Sequence, residues 1–287
     1  MKTSKFRIEW LIAGLAFSFL VERAFAQSQH REITRGKEKE LAVFIDIAFG
    51  SIILERGEKD KIAVLDYEEE NDDGHKFNVS YDVEGDRGKL RIKLKKSKSI
   101  WRDNDDEDGY RRLTVKLTGA IPVSMELELG AGKGDIDLSG IQIRDLKISS
   151  GASSVELHCD QPNVIMTELI EIESGVSKFT ATNLCNINFR ELKFSGGVGA
   201  YKLDFGGTLR QDANARVEVG LGSIIVYVPR EMAARVLYDD SWFSSFDVDR
   251  DFRKRKSGVY ETSDDDSGKK LTIEIESGLG SVRVKRK

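Results

Sequence analysis

The sequence predicts an all-β chain: a short right-handed parallel β-solenoid with an N-terminal β-meander and a hairpin insertion before the last rung. Three observations carry this. The closing stretch "LTIEIESGLGSVRVKRK" (271–287) nearly repeats "ARVEVGLGSIIVYVPR", which begins at Ala215. The shared template is a pair of alternating apolar residues, a glycine and a second such pair, and it recurs along the chain. From Gly132 to Gly222 its glycines fall 19 to 25 residues apart, which is one supersecondary unit and too short for a domain.

Six full copies can be read. They are Leu127, Leu129, Gly132, Ile136, Leu138; Leu146, Ile148, Gly151, Val155, Leu157; and Ile170, Ile172, Gly175, Phe179, Ala181. The others are Leu192, Phe194, Gly197, Tyr201, Leu203; Val217, Val219, Gly222, Val226, Val228; and Ile273, Ile275, Gly278, Val282, Val284. A partial copy, Ile45, Ile47, Gly50, Leu54, ends with Arg56 in the last apolar place. Second glycines at Gly130, Gly199, Gly220 and Gly280 leave the register open by two residues but not the inward parity.

Alternation with a period of two means a strand with one buried face, and glycine between two such strands supplies a corner or a positive φ. One copy cannot bury its apolar face alone, so the copies stack as rungs of a common core. The expected buried column is Ile148, Ile172, Phe194 and Val219. Outside it, Glu128, Lys147, Glu171, Lys193, Glu218 and Glu274 alternate largely in sign, as a parallel stack in register would favour.

Residues 1–26 read as a signal peptide: Lys2, Lys5 and Arg7, an apolar run from Trp10 to Val21, and Ala24-Phe25-Ala26, with cleavage expected after Ala26. The run is short for a bilayer span, so no membrane span is expected after cleavage, and the mature chain is expected to be exported, periplasmic or extracellular. The chain carries −4 overall, and the leader's bases outnumber its acids, which makes the remainder more acidic still. That argues against a nucleic-acid partner, for which a basic stripe would be expected. Residues 27–40 are polar and expected to be flexible; 41–287 form a single β-solenoid domain. Within it 41–120 supply N-terminal strands, 121–228 the rungs, 229–270 an insertion and 271–287 the closing rung.

The two cysteines, Cys159 and Cys185, fall on consecutive copies. An exported chain permits a bond between them, and two free, buried thiols acting as small apolar side chains are the other reading.

The stretches "LTGAIPVSMELELGAGKGDIDLSG" and "GVYETSDDDSGKKLTIEIESGLGSVRVK", with the strand-glycine-strand rungs, resemble the toast-rack β-solenoid family. That family includes the extracytoplasmic part of LiaF-type cell-envelope stress proteins and adhesin-like exported proteins of unknown function. The resemblance covers roughly residues 40–287. Its motifs are structural and imply no catalytic residues. LiaF-type proteins also have several membrane helices, which this chain lacks.

Catalytic and cofactor motifs are missing. His30, His75 and His158 stand in no recognisable constellation, adjacent residues of His158-Cys159-Asp160 point to opposite faces, and the glycines lack a phosphate-binding pattern. No cofactor is expected. In the acidic tip "RDNDDEDG", Asp103, Asp105, Asp106 and Asp108 are weak calcium candidates, but the EF-hand pattern fails at Val115. The interaction candidates are Trp242, Phe243 and Phe246 with Arg253, Lys254 and Arg255, all in the insertion. Insertions into solenoids emerge on one face and often bind.

The expected function is a non-enzymatic binding, adhesion or envelope-stress accessory module. Its partner would be a protein or cell-envelope component. The alternative is a polysaccharide-active β-helix enzyme, a lyase or glycosidase, which would gather two carboxylates within ~10 Å in a concave groove.

Overall fold

Period-two alternation bounded by glycine dictates strands with one wet face, and the computed structural model is built from them. It describes residues 27–70, 76–95, 111–239, 244–262 and 268–287. In chain order the strands are β1 (Gln27–Thr34), β2 (Glu40–Arg56), β3 (Lys61–Glu69), β4 (Lys76–Glu84), β5 (Arg87–Lys95) and β6 (Arg111–Leu117). There follow β7 (Pro122–Asp137), β8 (Gln142–His158), β9 (Thr167–Thr182), β10 (Phe189–Asp204) and β11 (Ala213–Val228). The last are β12 (Ala234–Tyr238), β13 (Ser244–Val248), β14 (Arg253–Lys256), β15 (Val259–Glu261) and β16 (Leu271–Arg286). All join one mostly parallel sheet.

Seven long rungs, β2, β7, β8, β9, β10, β11 and β16, pair in parallel in that order. None of the apolar positions of the six copies is more than 4% exposed, so the inward parity read from the alternation is the real one. The register needs a correction. Leu127 pairs with Ile148, then Ile172, Phe194, Val217 and Ile275, so the expected column holds Val217 where Val219 was placed. Val219 lies opposite Gly196. Gly130 and Gly220, two residues before Gly132 and Gly222, are the glycines that align with Gly151 and Gly197, and a shift of two leaves every side chain on its own face.

The outward ladder shifts with it. Glu126 and Arg216, not Glu128 and Glu218, share the column of Lys147, Glu171, Lys193 and Glu274. Lys147 lies 3.9 Å from Glu126 and Lys193 3.9 Å from Glu171. Arg216 stands next to Lys193 and is satisfied by acids on its other sides, Glu218 at 3.1 Å and Glu276 at 2.9 Å.

The corner glycines have two different duties. Gly132 and Gly222 take positive φ, but Gly151, Gly175, Gly197 and Gly278 do not. Those four are needed for close approach: a Cβ on Gly278 would press on the carbonyl oxygen of Gly220 one rung below, and the same holds down the column. Ala48 fits the rule from the other side. It belongs to the first rung, where β5 ends its pairing at Ile47 and β6 begins at Ser51, so among the described residues no strand pairs with it on that side.

Both ends depart from a simple meander and a simple closing rung. β2 is a full rung whose halves continue into parallel β5 and β6, while β4, β3 and β1 add antiparallel strands outside them. β16 is slotted between β11 and the shorter β12 and β13, which both run parallel to it. β14 and β15 pair antiparallel beyond β12.

Residues 27–40 are a further correction, because their first part is not free chain. β1 lies antiparallel on β3. An edge strand needs backbone partners rather than an apolar face, so its polar sequence hid it. Its side chains match across the pair: His30 Nδ1 lies 2.6 Å from Asp66, its Nε2 3.3 Å from Glu32, and Lys61 reaches Glu32 at 3.0 Å. The hydrogen bonds to Asp66 and then Glu32 raise the His30 pKa above its ordinary 6.5. A raised folded-state pKa means stabilisation that is complete below pH 6.5 and is lost as pH rises through the folded value. Amide protection factors in β1 are therefore expected to fall over that window in wild type but not in His30→Gln. An NMR titration midpoint for His30 at or below 6.5 would refute this.

Candidate functional site

The surface with most chemistry lies along the corner of the rungs. On its near side one outward column runs Asp46, Glu128, Ser149, Glu173, Ser195, Glu218, Glu276. Beside it lies the glycine column, which has no side chains, and beneath it an inward column whose middle members are small: Ser150, Ser174 and Gly196. The result is a trough of about 540 Å³ lined by Asp46, Glu128, Glu173 and serines, continued toward β16 by one of about 500 Å³ lined by Glu218, Asp239 and Glu276. Ser150 and Ser174 satisfy each other at 3.1 Å, and Ser174 also bonds Ser177, so the polar lining under the trough is internally paired.

The charges of the acidic column divide into two kinds. Asp46 pairs with Lys95 at 2.9 Å, and Arg216 holds Glu218 and Glu276. Glu128 and Glu173 are exposed and have no ion-pair partner among the described residues. They stand two rungs apart, a separation of about 9.6 Å in a parallel sheet.

The apex of the corner carries a second column: Phe49, Ala131, Ala152, Val176, Val198, Leu221 and Leu279. Sequence reading missed it. The signal was present as an apolar residue between two glycines, in Gly130-Ala131-Gly132, Gly197-Val198-Gly199, Gly220-Leu221-Gly222 and Gly278-Leu279-Gly280.

The predicted site residues are dispersed. Asp103, Asp105, Asp106, Asp108, Trp242 and Phe243 lie outside the described residues. Phe246 is half-buried on β13, stacked on Tyr238 at 4.0 Å between ring centroids and 5.2 Å from Tyr260. Arg253, Lys254 and Arg255 are exposed on the edge strand β14, with Lys254 over the Tyr260 ring and Arg255 3.1 Å from Glu261. His158 lies 3.8 Å from Asp137 and 3.9 Å from Asp135. Among the described residues no three His, Cys, Asp or Glu side chains gather as a metal site. Cys159 and Cys185 are free and buried, and burial pushes each thiol up to about 12.

Residues 22–181, more than half of the chain, match the family described as the N-terminal domain of toast_rack, DUF2154. The chain belongs to the toast-rack family. Among solved structures this toast-rack chain is similar to a candidate cell adhesion protein from Clostridium sporogenes. Identity is 18% and the TM-score 0.46, over 92% of this chain and 100% of the other. A candidate adhesin from Bacteroides fragilis is 13% identical with a TM-score of 0.39, covering 90% and 97% of the two chains. A candidate lipid binding protein from Parabacteroides distasonis is 12% identical with a TM-score of 0.30, covering 91% and 97%. No curated protein matches the toast-rack chain.

Proposed function

We propose that this chain is a non-enzymatic exported module that binds a protein or other component of the cell envelope, in adhesion or as an envelope-stress accessory. In this reading 1–26 is removed as a signal peptide, and the mature chain works in the periplasm or outside the cell. Residues 41–287 are one domain whose rungs wind right-handed and are interrupted by 229–270.

The observation that carries the reading is β14. Four consecutive bases, Arg253 to Lys256, are exposed on an edge strand, and the aromatic stack of Tyr238, Phe246 and Tyr260 anchors the hairpin behind them. An exposed basic strand on a rigid base suits a polyanionic envelope component, since it offers both backbone edge and charge. Basic residues also guard free edges against unwanted pairing, so charge and edge protection must be separated.

Changing Arg253, Lys254, Arg255 and Lys256 together to Glu keeps the edge charged and reverses its sign. Retention of the exported chain on isolated envelopes is expected to fall at least tenfold, while the chain stays folded and loses no more than the small contribution of the exposed Arg255–Glu261 pair. Undiminished retention would mean that β14 only guards the edge. The enzymatic reading draws on Glu128 and Glu173, whose strands lie about 9.6 Å apart, just beyond the roughly 6.5–9.5 Å of the carboxylate pairs in inverting glycosidases. Both project from one side of the same wall rather than flanking a cleft, and release of sugar ends from those envelopes, lost in Glu128→Gln, would replace the binding reading with this one.

A further inference from the structure

The apex column is an apolar ridge on the outside of the protein. Val176 is 66% exposed, Leu279 52%, Leu221 45%, Val198 44% and Phe49 37%. Single exposed apolar residues need no explanation, but seven stacked rungs carry this one over about 29 Å. A contiguous stripe of that kind marks an interaction surface.

Its flanks say what it fits. On one side stand Glu128 and Glu173, and on the other, across the ridge on the same strands β7 and β9, stand Lys133 and Lys178. The rung between them, β8, has serine on both sides, Ser149 and Ser154. All four charged residues are exposed, and none has an ion-pair partner among the described residues, whereas the other acids of the column are paired within the chain.

We propose that the ridge is the interface of a two-fold dimer with a second copy of this chain, the two stacks running parallel. A two-fold axis along the stacking direction turns one ridge to face the other with β7 opposite β7 and exchanges the flanks. Glu128 then faces Lys133 of the second copy, and Glu173 faces Lys178 of the second copy, each contact occurring twice as an isologous interface requires. The alternative axis, perpendicular to the stacking direction and along the strands at the corner, sets acidic flank against acidic flank and is disfavoured. A strip about 29 Å by about 15 Å buries roughly 900 Å² in total, below the standard size for stable complexes. The dimer is therefore weak and forms only as the chain is concentrated.

Sedimentation velocity of the chain purified from cells that export it, over about 1 to 200 μM, tests this. Wild type is expected to shift from monomer to dimer across that range. The exposed-site change Val176→Asp with Val198→Asp should leave it monomeric with an unchanged melting temperature. Glu128→Lys with Glu173→Lys should weaken association at least tenfold, and adding Lys133→Glu with Lys178→Glu should restore it. A monomer at every concentration overturns the proposal, as does a dimer that survives the two aspartates. Failure of the fourfold charge exchange to restore association, or strengthening by Glu128→Lys with Glu173→Lys, overturns the parallel arrangement.

Discussion

Phe194→Asp is expected to abolish folding, while Lys193→Gln beside it changes stability by well under about 1 kcal/mol. Phe194 is 1% exposed, lies edge-on to Phe179 at 5.6 Å and to Tyr201 at 5.2 Å, and is stacked between Ile172 and Val217. Removing the ring costs about 3–5 kcal/mol, and an unpaired carboxylate in its place costs several more. Together these reach the whole stability of an ordinary domain, about 5–15 kcal/mol. Lys193 contributes one exposed pair, 3.9 Å from Glu171, and exposed pairs are worth about 0–1 kcal/mol. Circular dichroism of the first variant and urea unfolding of the second check the pair. Equal effects would refute the assignment of inward and outward faces.

Gly222→Ala is expected to cost about 3 kcal/mol or more, because two penalties fall on one Cβ. Gly222 has φ 133°, and a Cβ there would overlap the carbonyl oxygen of Gly199 on the rung below. Gly280 stands over Gly222 in the same relation, so no shift of one rung relieves the column without disturbing the next. Gly85 is the control. It also has positive φ, at 65°, but nothing lies within 4 Å of its would-be Cβ, so Gly85→Ala should cost only about 1–2 kcal/mol. Denaturant midpoints compare the two directly. If both variants lose the same amount, the glycine column is not in contact from rung to rung.

The interior of the stack was legible because burial follows from alternation within one strand. Leu146, Ile148, Val155 and Leu157 need no knowledge of their neighbours to be placed inward. β1 was not legible, since an edge strand held by its backbone and by His30, Asp66, Glu32 and Lys61 leaves no apolar period to read. Nor was the role of Phe246 decided, because an aromatic in a polar stretch serves a core or a contact equally well until Tyr238 and Tyr260 are seen against it.

By itself, the sequence determined that this is a repeated, glycine-cornered β chain, which face of each rung is buried, and that its repeat length is too short for separate domains. Tertiary structure alone decided the register, and with it that Phe194 meets Val217, that Arg216 and not Glu218 completes the charged ladder, and that Val176, Val198, Leu221 and Leu279 form one ridge. The physical reason is the period of two. Sliding a strand by two residues returns every side chain to the same face, so alternation cannot distinguish the registers, and only contacts between rungs, above all the backbone approach at the glycine column, select one of them.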